Sequence, residues 1–446
     1  MRLLHTKSFE LEVFLGNNTP PYAILSHTWG KEEVLFEHVN GGLKPGTTKK
    51  LGWAKVRYSC AEAASDGYEY VWIDTCCIDK SSSAELSEAI NSMFKWYQDA
   101  GICYAYLEDV DVTIDLTTDI IDLTTPDPRP SLPRQFSASR WFTRGWTLQE
   151  LIAPQDVRFY TRSWNFIASR QKDESYARLI EERTGIPVSV LRRDMCCYVG
   201  QRLRDTAHQS SQECPGCHRG INSLDVLNDH SIAERMSWAA ARQTTRIEDQ
   251  AYCLLGLFGV HMPLLYGEGS RAFIRLQEEI IKISDDQSIF AFASQYEDGN
   301  DSLLARSPHA FDKSDFTFLP KAENRQQEST NMVLTSKYIQ TRMMVCPCTV
   351  WTGSWDSDSS DSDLSIRSDL TGEAQSCYLG ILSCGTKADL LTRPAILLRL
   401  VEGDDQSYRR IDNHVLLSIR PLFLIDTVSI NFEPLGMSSI THLRCS

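Results

Sequence analysis

The sequence contains no long hydrophobic run. A membrane-spanning helix needs about 20 apolar residues in succession, and the apolar run 415–425 is interrupted by Arg420 and Pro421. Residues 1–12 also lack the apolar segment of a secretory signal peptide. We therefore expect a soluble, cytoplasmic protein that has no membrane partner.

The sequence also lacks an excess of basic residues. It has 45 Lys and Arg against 59 Asp and Glu, which gives a formal net charge of −14. Binding to nucleic acid depends on neutralising phosphates, and binding to anionic lipid depends on basic clusters. The charge balance therefore argues against nucleic acid and against a membrane surface as partners.

Recognisable metal-binding and phosphate-binding motifs are incomplete. The fourteen cysteines have no secretory context, so we expect reduced thiols. Cys214, Cys217 and His218, with two cysteines upstream, supply enough ligands for tetrahedral zinc, but a second well-spaced pair is missing. We therefore predict no metal and keep these three residues as the alternative. The segment 267–269 lacks the lysine and spacing of a phosphate loop, which argues against an ATPase.

At 446 residues, the chain is longer than one hydrophobic core usually holds. Changes in pattern predict three regions: an α/β domain over 1–173, a helical extension over 174–286 and a β-rich C-terminal region over 287–446. A Ser/Asp-rich tract at 355–369 predicts a disordered loop within the last region.

Short apolar runs alternate with helical patterns in the first region. Residues 22–28, 70–75, 102–107 and 157–161 are typical of buried strands. The connections between them are too long for hairpins and carry amphipathic helical periodicity. This alternation predicts a mostly parallel sheet with helices on both faces.

Polar side chains follow the first two predicted strands. Ser26, His27 and Trp29 end the first strand, and Asp74 ends the second. Ligands of open parallel sheets bind beyond the carboxyl ends of the strands, and these residue types suit a ribose and an aromatic ring. The alternative is that polar residues accumulate wherever strands leave a core.

Residues 139–152 predict a helix that follows the third strand. Trp146 and Glu150 are four residues apart and would share one face of it. A carboxylate shielded by an indole has a raised pKa and interacts strongly with developing positive charge, which suits cleavage of a glycosidic bond. The alternative is a structural carboxylate paired with Arg140 or Arg144.

Three blocks carry a resemblance to a known family. They read Tyr22-Ala-Ile-Leu-Ser-His-Thr-Trp-Gly30, Tyr70-Val-Trp-Ile-Asp-Thr-Cys-Cys-Ile-Asp79 and Arg144-Gly-Trp-Thr-Leu-Gln-Glu-Leu-Ile-Ala-Pro154. In this order and spacing they resemble the fungal heterokaryon incompatibility (HET) domain, and residues 245–279 look like a segment that often follows it. The resemblance implies a role in self/non-self recognition and regulated cell death after hyphal fusion.

HET domains in turn resemble the Toll/interleukin receptor (TIR) domain, which implies a flavodoxin-like fold. Many TIR enzymes cleave the nicotinamide–ribose bond of NAD with one glutamate on the helix after the third strand. That role carries over onto Glu150, with Trp146 beside it. The strand ends depart from the TIR pattern, so the nucleotide contacts do not carry over residue by residue.

Two functional hypotheses follow from the residues and the resemblance. In the first, the protein is an NAD glycohydrolase that is active once assembled, with Glu150 as catalytic residue and Ser26, His27, Trp29, Asp74 and Trp146 as substrate-binding residues. NAD is then a substrate, and no resident cofactor is expected. In the second, the domain is a non-catalytic module. In both, we expect self-association through the HET domain and interaction with another incompatibility or death-signalling protein.

Overall fold

The computed structural model describes most of the chain in two compact units. The described residues are 1–111, 131–192, 226–293, 302–312, 316–318, 332–335, 339–352, 373–386, 393–401, 404–410, 417–419, 427–432 and 442–445. The first unit comprises Met1–Asn228 and Ala241–Gly269, and the second comprises Asp229–Ala240 and Ser270–Ser446. The predicted loop 355–369 and the candidate zinc ligands Cys214, Cys217 and His218 lie outside the described residues. The predicted boundaries after residues 173 and 286 stay predictions.

The first unit is built on a seven-stranded sheet. Its strands are β1 (Arg2–His5), β2 (Leu11–Val13), β3 (Tyr22–His27), β4 (Tyr70–Trp72), β5 (Ile102–Tyr106), β6 (Val157–Tyr160) and β7 (Phe166–Ser169). The spatial order is β2-β1-β4-β3-β5-β6-β7. The four central strands are parallel, and the pairs at the two edges are antiparallel. The predicted mostly parallel sheet is thereby confirmed.

The two innermost strands, β3 and β5, are buried along their whole length. Every residue of β3 and of β5 is buried, as expected for parallel strands that are covered on both faces. In register, Ala23 pairs with Ile102 and Ser26 with Ala105.

Eight helices of the first unit fall between or after these strands in the described part of the chain before residue 193. They are α1 (Phe36–Val39), α2 (Trp53–Ser65), α3 (Asp74–Cys77), α4 (Ser83–Asp99), α5 (Leu132–Ala138), α6 (Thr147–Ile152), α7 (Glu174–Thr184) and α8 (Val188–Arg192). Ser82 caps the start of α4, since its hydroxyl accepts a hydrogen bond from the Glu85 amide at 3.4 Å.

Helices cover both faces of this sheet. Successive side chains of a strand point to opposite faces, and Ser26 and His27 are neighbours in β3. The Ser26 hydroxyl contacts Glu150 of α6, whereas the His27 ring contacts Lys55 of α2. Helices α2 and α6 therefore lie on opposite faces, as the sequence predicted.

The predicted helix over residues 139–152 is wrong in its extent. Residues Arg140–Thr143 form a short 3₁₀ helix, Arg144 is extended with φ −85° and ψ 140°, and only Thr147–Ile152 forms α6. The cause is a long-range pairing: Arg144 forms a parallel β-bridge with Gln243. A bridge of this kind requires extended backbone, so it divides the helix in two.

The segment Ala241–Gly269 of the first unit contains two further short helices, α10 (Asp249–Tyr252) and α11 (Leu255–Phe258). Helix α11 packs very closely on α4. A Cβ atom at Gly256 would lie 2.0 Å from the Cβ atom of Phe94, so only glycine permits this approach.

The second unit combines two helices with a β-rich region. Its helices are α9 (Ile232–Ala240) and α12 (Arg271–Ile281). Its strands are β8 (Phe316–Phe318), β9 (Val333–Leu334), β10 (Ile339–Thr352), β11 (Glu373–Ile381), β12 (Cys384–Thr386), β13 (Arg393–Val401), β14 (Asp404–Arg410), β15 (Leu417–Ile419), β16 (Thr427–Phe432) and β17 (His442–Cys445). Eight of these strands form one sheet with the central order β11-β10-β16-β14-β13-β15, which confirms the predicted β-rich C-terminal region.

The elements described between residues 174 and 286 are all helices, as the sequence predicted. None of the helices in the described ranges is long and apolar enough to cross a bilayer.

Candidate active site

A cavity of about 370 Å³ lies in the first unit, within the size range of small-molecule sites. Its wall is formed by the ends of β3 and β4, by one side of α4, by α6 and by the segment 241–269. The central strand order reverses between β3 and β5, and the carboxyl ends of strands at such a point are where ligands of parallel sheets bind.

Glu150 lines this cavity from α6 and is only 7% exposed. Its carboxylate accepts a hydrogen bond from the Ser26 hydroxyl, which in turn accepts one from the Trp141 indole at 2.9 Å. The Tyr97 hydroxyl also hydrogen-bonds Glu150 and donates to the Leu25 carbonyl at 3.1 Å. Ser26 of β3 and Tyr97 of α4 thus fix the position of the carboxyl group, and Trp141 holds Ser26 in place.

Burial determines the protonation of Glu150. Removal from water raises the pKa of this carboxyl group to about 8, although the Ser26 hydroxyl and the buried Arg242 guanidinium act in the opposite direction. Glu150 therefore holds its proton near neutral pH. A cation placed in the cavity would favour the ionised form.

Neither arginine that the sequence offered as a partner pairs with Glu150. Arg140 forms an ion pair with Glu108, and Arg144 donates to the Thr245 hydroxyl at 3.0 Å. The buried Arg242 interacts with Glu150 electrostatically but donates its hydrogen bonds to the Arg144 carbonyl at 2.9 Å and the Thr147 hydroxyl at 3.0 Å.

His27 belongs to a chain of polar contacts beneath the cavity. Its Nδ1 atom lies 3.2 Å from the Lys55 ammonium, and its Nε2 atom lies 3.0 Å from Asp74. Because an ammonium can only donate, Nδ1 accepts and Nε2 carries the proton that is donated to Asp74. Lys55 is 5% exposed and is paired with the equally buried Glu33.

Asp74 connects His27 to the mouth of the cavity. Its second oxygen accepts from the Trp29 indole at 2.9 Å and from Lys80 at 3.4 Å. Burial would raise the pKa of Asp74, but Lys80, His27 and Trp29 together hold it well below its usual range. Asp74 is thus an anion, whereas Glu150 in the same cavity is protonated.

Trp29 is 53% exposed at this mouth. The Lys80 ammonium lies 3.4 Å from the centre of its ring, in cation–π contact. The ring is therefore held at its edge by Asp74 and covered on one face by a cation. A planar cationic group could replace the ammonium on that face.

Trp146 precedes α6 and lines the cavity from the side of segment 241–269. Its indole donates to Asp249, which also accepts from the Tyr266 hydroxyl at 3.0 Å. Burial raises the pKa of Asp249, and these two donors oppose that rise.

Gly145 allows the segment 241–269 to approach α6. A Cβ atom there would lie 2.5 Å from Cγ2 of Thr244 and 3.2 Å from the Cys253 sulphur. The Gly145 amide also donates to the Gln243 carbonyl at 2.9 Å. The cavity wall therefore depends on a glycine directly before Trp146.

The structure brings most of the predicted site residues together. Glu150, His27, Trp29, Asp74 and Trp146 all line the cavity. Ser26 is fully buried behind Glu150 and is not among the lining residues. It supports the carboxylate rather than facing a ligand.

The lining residues that sequence reasoning missed include Lys80, Tyr97, Arg246 and Tyr266. Tyr97 lies among the buried apolar residues of α4, so its sequence context indicates core packing rather than a site. Arg246 and Tyr266 are about a hundred residues away in sequence, and long-range contacts such as the bridge from Arg144 to Gln243 bring them to the site. Within the described ranges, no group of three or more His, Cys, Asp or Glu residues could hold a metal ion.

Comparison with known proteins gives two family matches and one relative. Residues 22–150 match the family described as "Heterokaryon incompatibility protein (HET)", and residues 271–336 match a domain of unknown function (DUF8212). The chain is similar to "Vegetative incompatibility protein HET-E-1" of Podospora anserina, with 44% identity over 266 residues. The alignment covers 59% of this chain and 16% of the relative's length.

No solved structure matches the chain. The HET-family match covers residues 22–150, and the chain spans about one sixth of the length of the incompatibility protein to which it is similar. Glu150 is the last residue of the matched range, and the cavity continues beyond it into segment 241–269.

Proposed function

We propose that this chain acts in heterokaryon incompatibility and that it hydrolyses the nicotinamide–ribose bond of NAD. The HET match and the name of the similar protein support the role in heterokaryon incompatibility. The observation that carries the chemical proposal is the Glu150 carboxylate, which lines a cavity of about 370 Å³ and is oriented by Ser26 and Tyr97.

The proposed reaction needs one carboxylate. The bond between ribose C1′ and the nicotinamide nitrogen breaks, and its electron pair neutralises the positive ring. The ribosyl group becomes oxocarbenium-like, and ionised Glu150 stabilises that charge. Water then adds to C1′ and releases a proton, giving ADP-ribose. Nicotinamide leaves as a neutral molecule and needs no general acid.

The raised pKa of Glu150 is compatible with this role. The nicotinamide ring of NAD is a cation, and a nearby cation favours the ionised carboxylate. Substrate would therefore create the charge that catalysis uses. Burial then makes that charge effective, because few water molecules screen it.

A relation to TIR domains belongs to the same proposal. If β3, β4, β5 and β6 are numbered 1 to 4 along the chain, their spatial order is 2-1-3-4. The strand order of flavodoxin-like sheets begins in the same way. Glu150 lies on the helix before the fourth of these strands, after the third. We further propose that the protein is cytoplasmic and that self-association, or a second incompatibility protein, activates it, because an unregulated NAD hydrolase would be toxic to its own cell.

The test is nicotinamide release from NAD by the full chain, alone and under forced self-association. Glu150→Gln keeps the side-chain shape and removes the charge, so we expect a loss of about 100-fold or more. Glu88→Gln, at an exposed position of α4, is the matched control and should retain full activity. Equal rates for wild type and Glu150→Gln would refute the assignment. No turnover in any assembly state, with cell killing that survives Glu150→Gln, would favour the non-catalytic module.

A further inference from the structure

Two arginines line the cavity without a carboxylate partner. In the described parts of the chain, neither Arg144 nor Arg246 forms an ion pair. Glu248 and Asp249 interact with Arg246 electrostatically at longer range, but their oxygens accept hydrogen bonds from other donors. Lys80, the other lining cation, differs because it is paired with Asp74.

Backbone contacts fix the position of Arg144, and therefore the base of its side chain. Its backbone forms the β-bridge to Gln243, and its carbonyl accepts from Arg242 at 2.9 Å. Its guanidinium donates to the hydroxyl of Thr245, the residue directly before Arg246. Arg144 and Arg246 therefore belong to neighbouring parts of the same cavity wall.

Arg246 is held by an aromatic ring. Its guanidinium lies 4.4 Å from the centre of the Tyr266 ring, and the Tyr266 hydroxyl donates to Asp249. This contact restrains the guanidinium and does not use its N–H groups in a hydrogen bond to the ring oxygen, which donates to Asp249 instead. Little side-chain entropy would be lost when these groups bind an anion.

We propose that Arg144 and Arg246 bind the phosphate groups of a nucleotide whose ribosyl end lies beside Glu150. Guanidinium groups match phosphate oxygens with paired hydrogen bonds. Asp74 does not neutralise them, because its oxygens are engaged by His27, Trp29 and Lys80. The position of the ribosyl end beside Glu150 rests on the proposed function. The binding of phosphate by Arg144 and Arg246 rests on the two arginines alone.

In this arrangement the phosphates contribute a large part of the binding affinity of a nucleotide, and a ligand without phosphates binds more weakly. ADP-ribose and NAD carry two phosphates, whereas nicotinamide riboside carries none. The site should therefore distinguish dinucleotides from nucleosides through segment 241–269, which lies outside the matched range 22–150.

Calorimetric titration of the full chain with ADP-ribose tests the proposal. ADP-ribose contains both phosphates and is not turned over, so its binding does not depend on catalysis. We expect Arg144→Gln and Arg246→Gln each to weaken it by about 10- to 100-fold. Binding of nicotinamide riboside to the same variants should stay unchanged, and pyrophosphate should compete with ADP-ribose.

Arg57→Gln is the matched control, since Arg57 also stacks on a tyrosine, Tyr58, at 4.6 Å but does not line the cavity. Arg246→Lys keeps the charge and should recover part of the affinity, which separates charge loss from misfolding. Equal ADP-ribose affinity in wild type and both glutamine variants, or no ADP-ribose binding by wild type, would overturn the inference. Arginine-dependent ADP-ribose binding without nicotinamide release would instead refute only the proposed reaction.

Discussion

The protonation of Glu150 should be measurable as a dependence of stability on pH. The pKa of this group lies near 8 in the folded protein, against an ordinary value of 4.5. Below pH 4.5 the folded and unfolded chains both hold the proton. As pH rises toward 8, the unfolded chain loses the proton while the folded chain retains it, which favours unfolding. Wild type should therefore lose stability relative to Glu150→Gln as pH rises.

The magnitude follows from the two pKa values. At about 1.36 kcal/mol for each pKa unit, the full effect is at most about 5 kcal/mol. About 3 kcal/mol of it falls between about pH 6 and about pH 9, a range that avoids the isoelectric point near 5.2. Glutamine does not titrate, so Glu150→Gln removes this pH-dependent contribution to the free energy of unfolding and keeps the shape of the side chain.

Guanidinium unfolding of the full chain at several pH values is the assay, with the midpoint and slope of each transition converted to a free energy of unfolding. The stability of Glu150→Gln minus that of wild type should increase with pH and level off above about pH 8. Glu88→Gln, at an exposed position, should show no such trend. A difference that stays constant with pH would mean that Glu150 is ionised and hydrated, and the reasoning about its burial would be wrong.

Three further predictions concern the same cavity. Nicotinamide release should depend on ionised Glu150, so its kcat/KM should rise with pH up to about 8; a profile that is flat from about pH 6 to about pH 9 would contradict this. Tyr97→Phe removes a hydroxyl that lowers the Glu150 pKa, so the rise of kcat/KM should move to higher pH. Tyr22→Phe is the control, because it removes a hydroxyl that is bonded to the Trp96 carbonyl, and it should leave the pH profile unchanged. Gly145→Ala places a Cβ atom 2.5 Å from Thr244, so it should lower the free energy of unfolding by about 1–3 kcal/mol and weaken ADP-ribose binding. An unchanged free energy of unfolding together with unchanged ADP-ribose affinity would show that segment 241–269 is not closely packed on α6.

The central sheet was predictable because its strands are short, apolar and separated by helical patterns. Each of the four central strands lies within a few residues of its predicted position, since burial on both faces requires continuous apolar runs, whereas the edge strands β1, β2 and β7 were not predicted. The same logic placed His27, Trp29 and Asp74 at one edge, because parallel strands end together. These inferences use only local pattern and the geometry of parallel sheets.

The rest depended on contacts that local pattern does not encode. The helix over residues 139–152 was overestimated because Arg144 pairs with Gln243, about a hundred residues later. The same pairing delivers Arg246 and Tyr266 to the cavity. Ser26 was expected to face a ligand, but alternation along β3 directs it toward α6, where Trp141 and Glu150 engage it.

The chain connectivity between the two units has a practical consequence. The polypeptide leaves the first unit after Asn228, contributes Asp229–Ala240 to the second, returns for Ala241–Gly269 and then leaves again. No single cut can separate the units, and a polypeptide that ends near residue 150 or 228 lacks one wall of the cavity. Recombination that transfers this site intact to another protein must therefore carry residues 1–269 together, and with them a helix that belongs to the second unit.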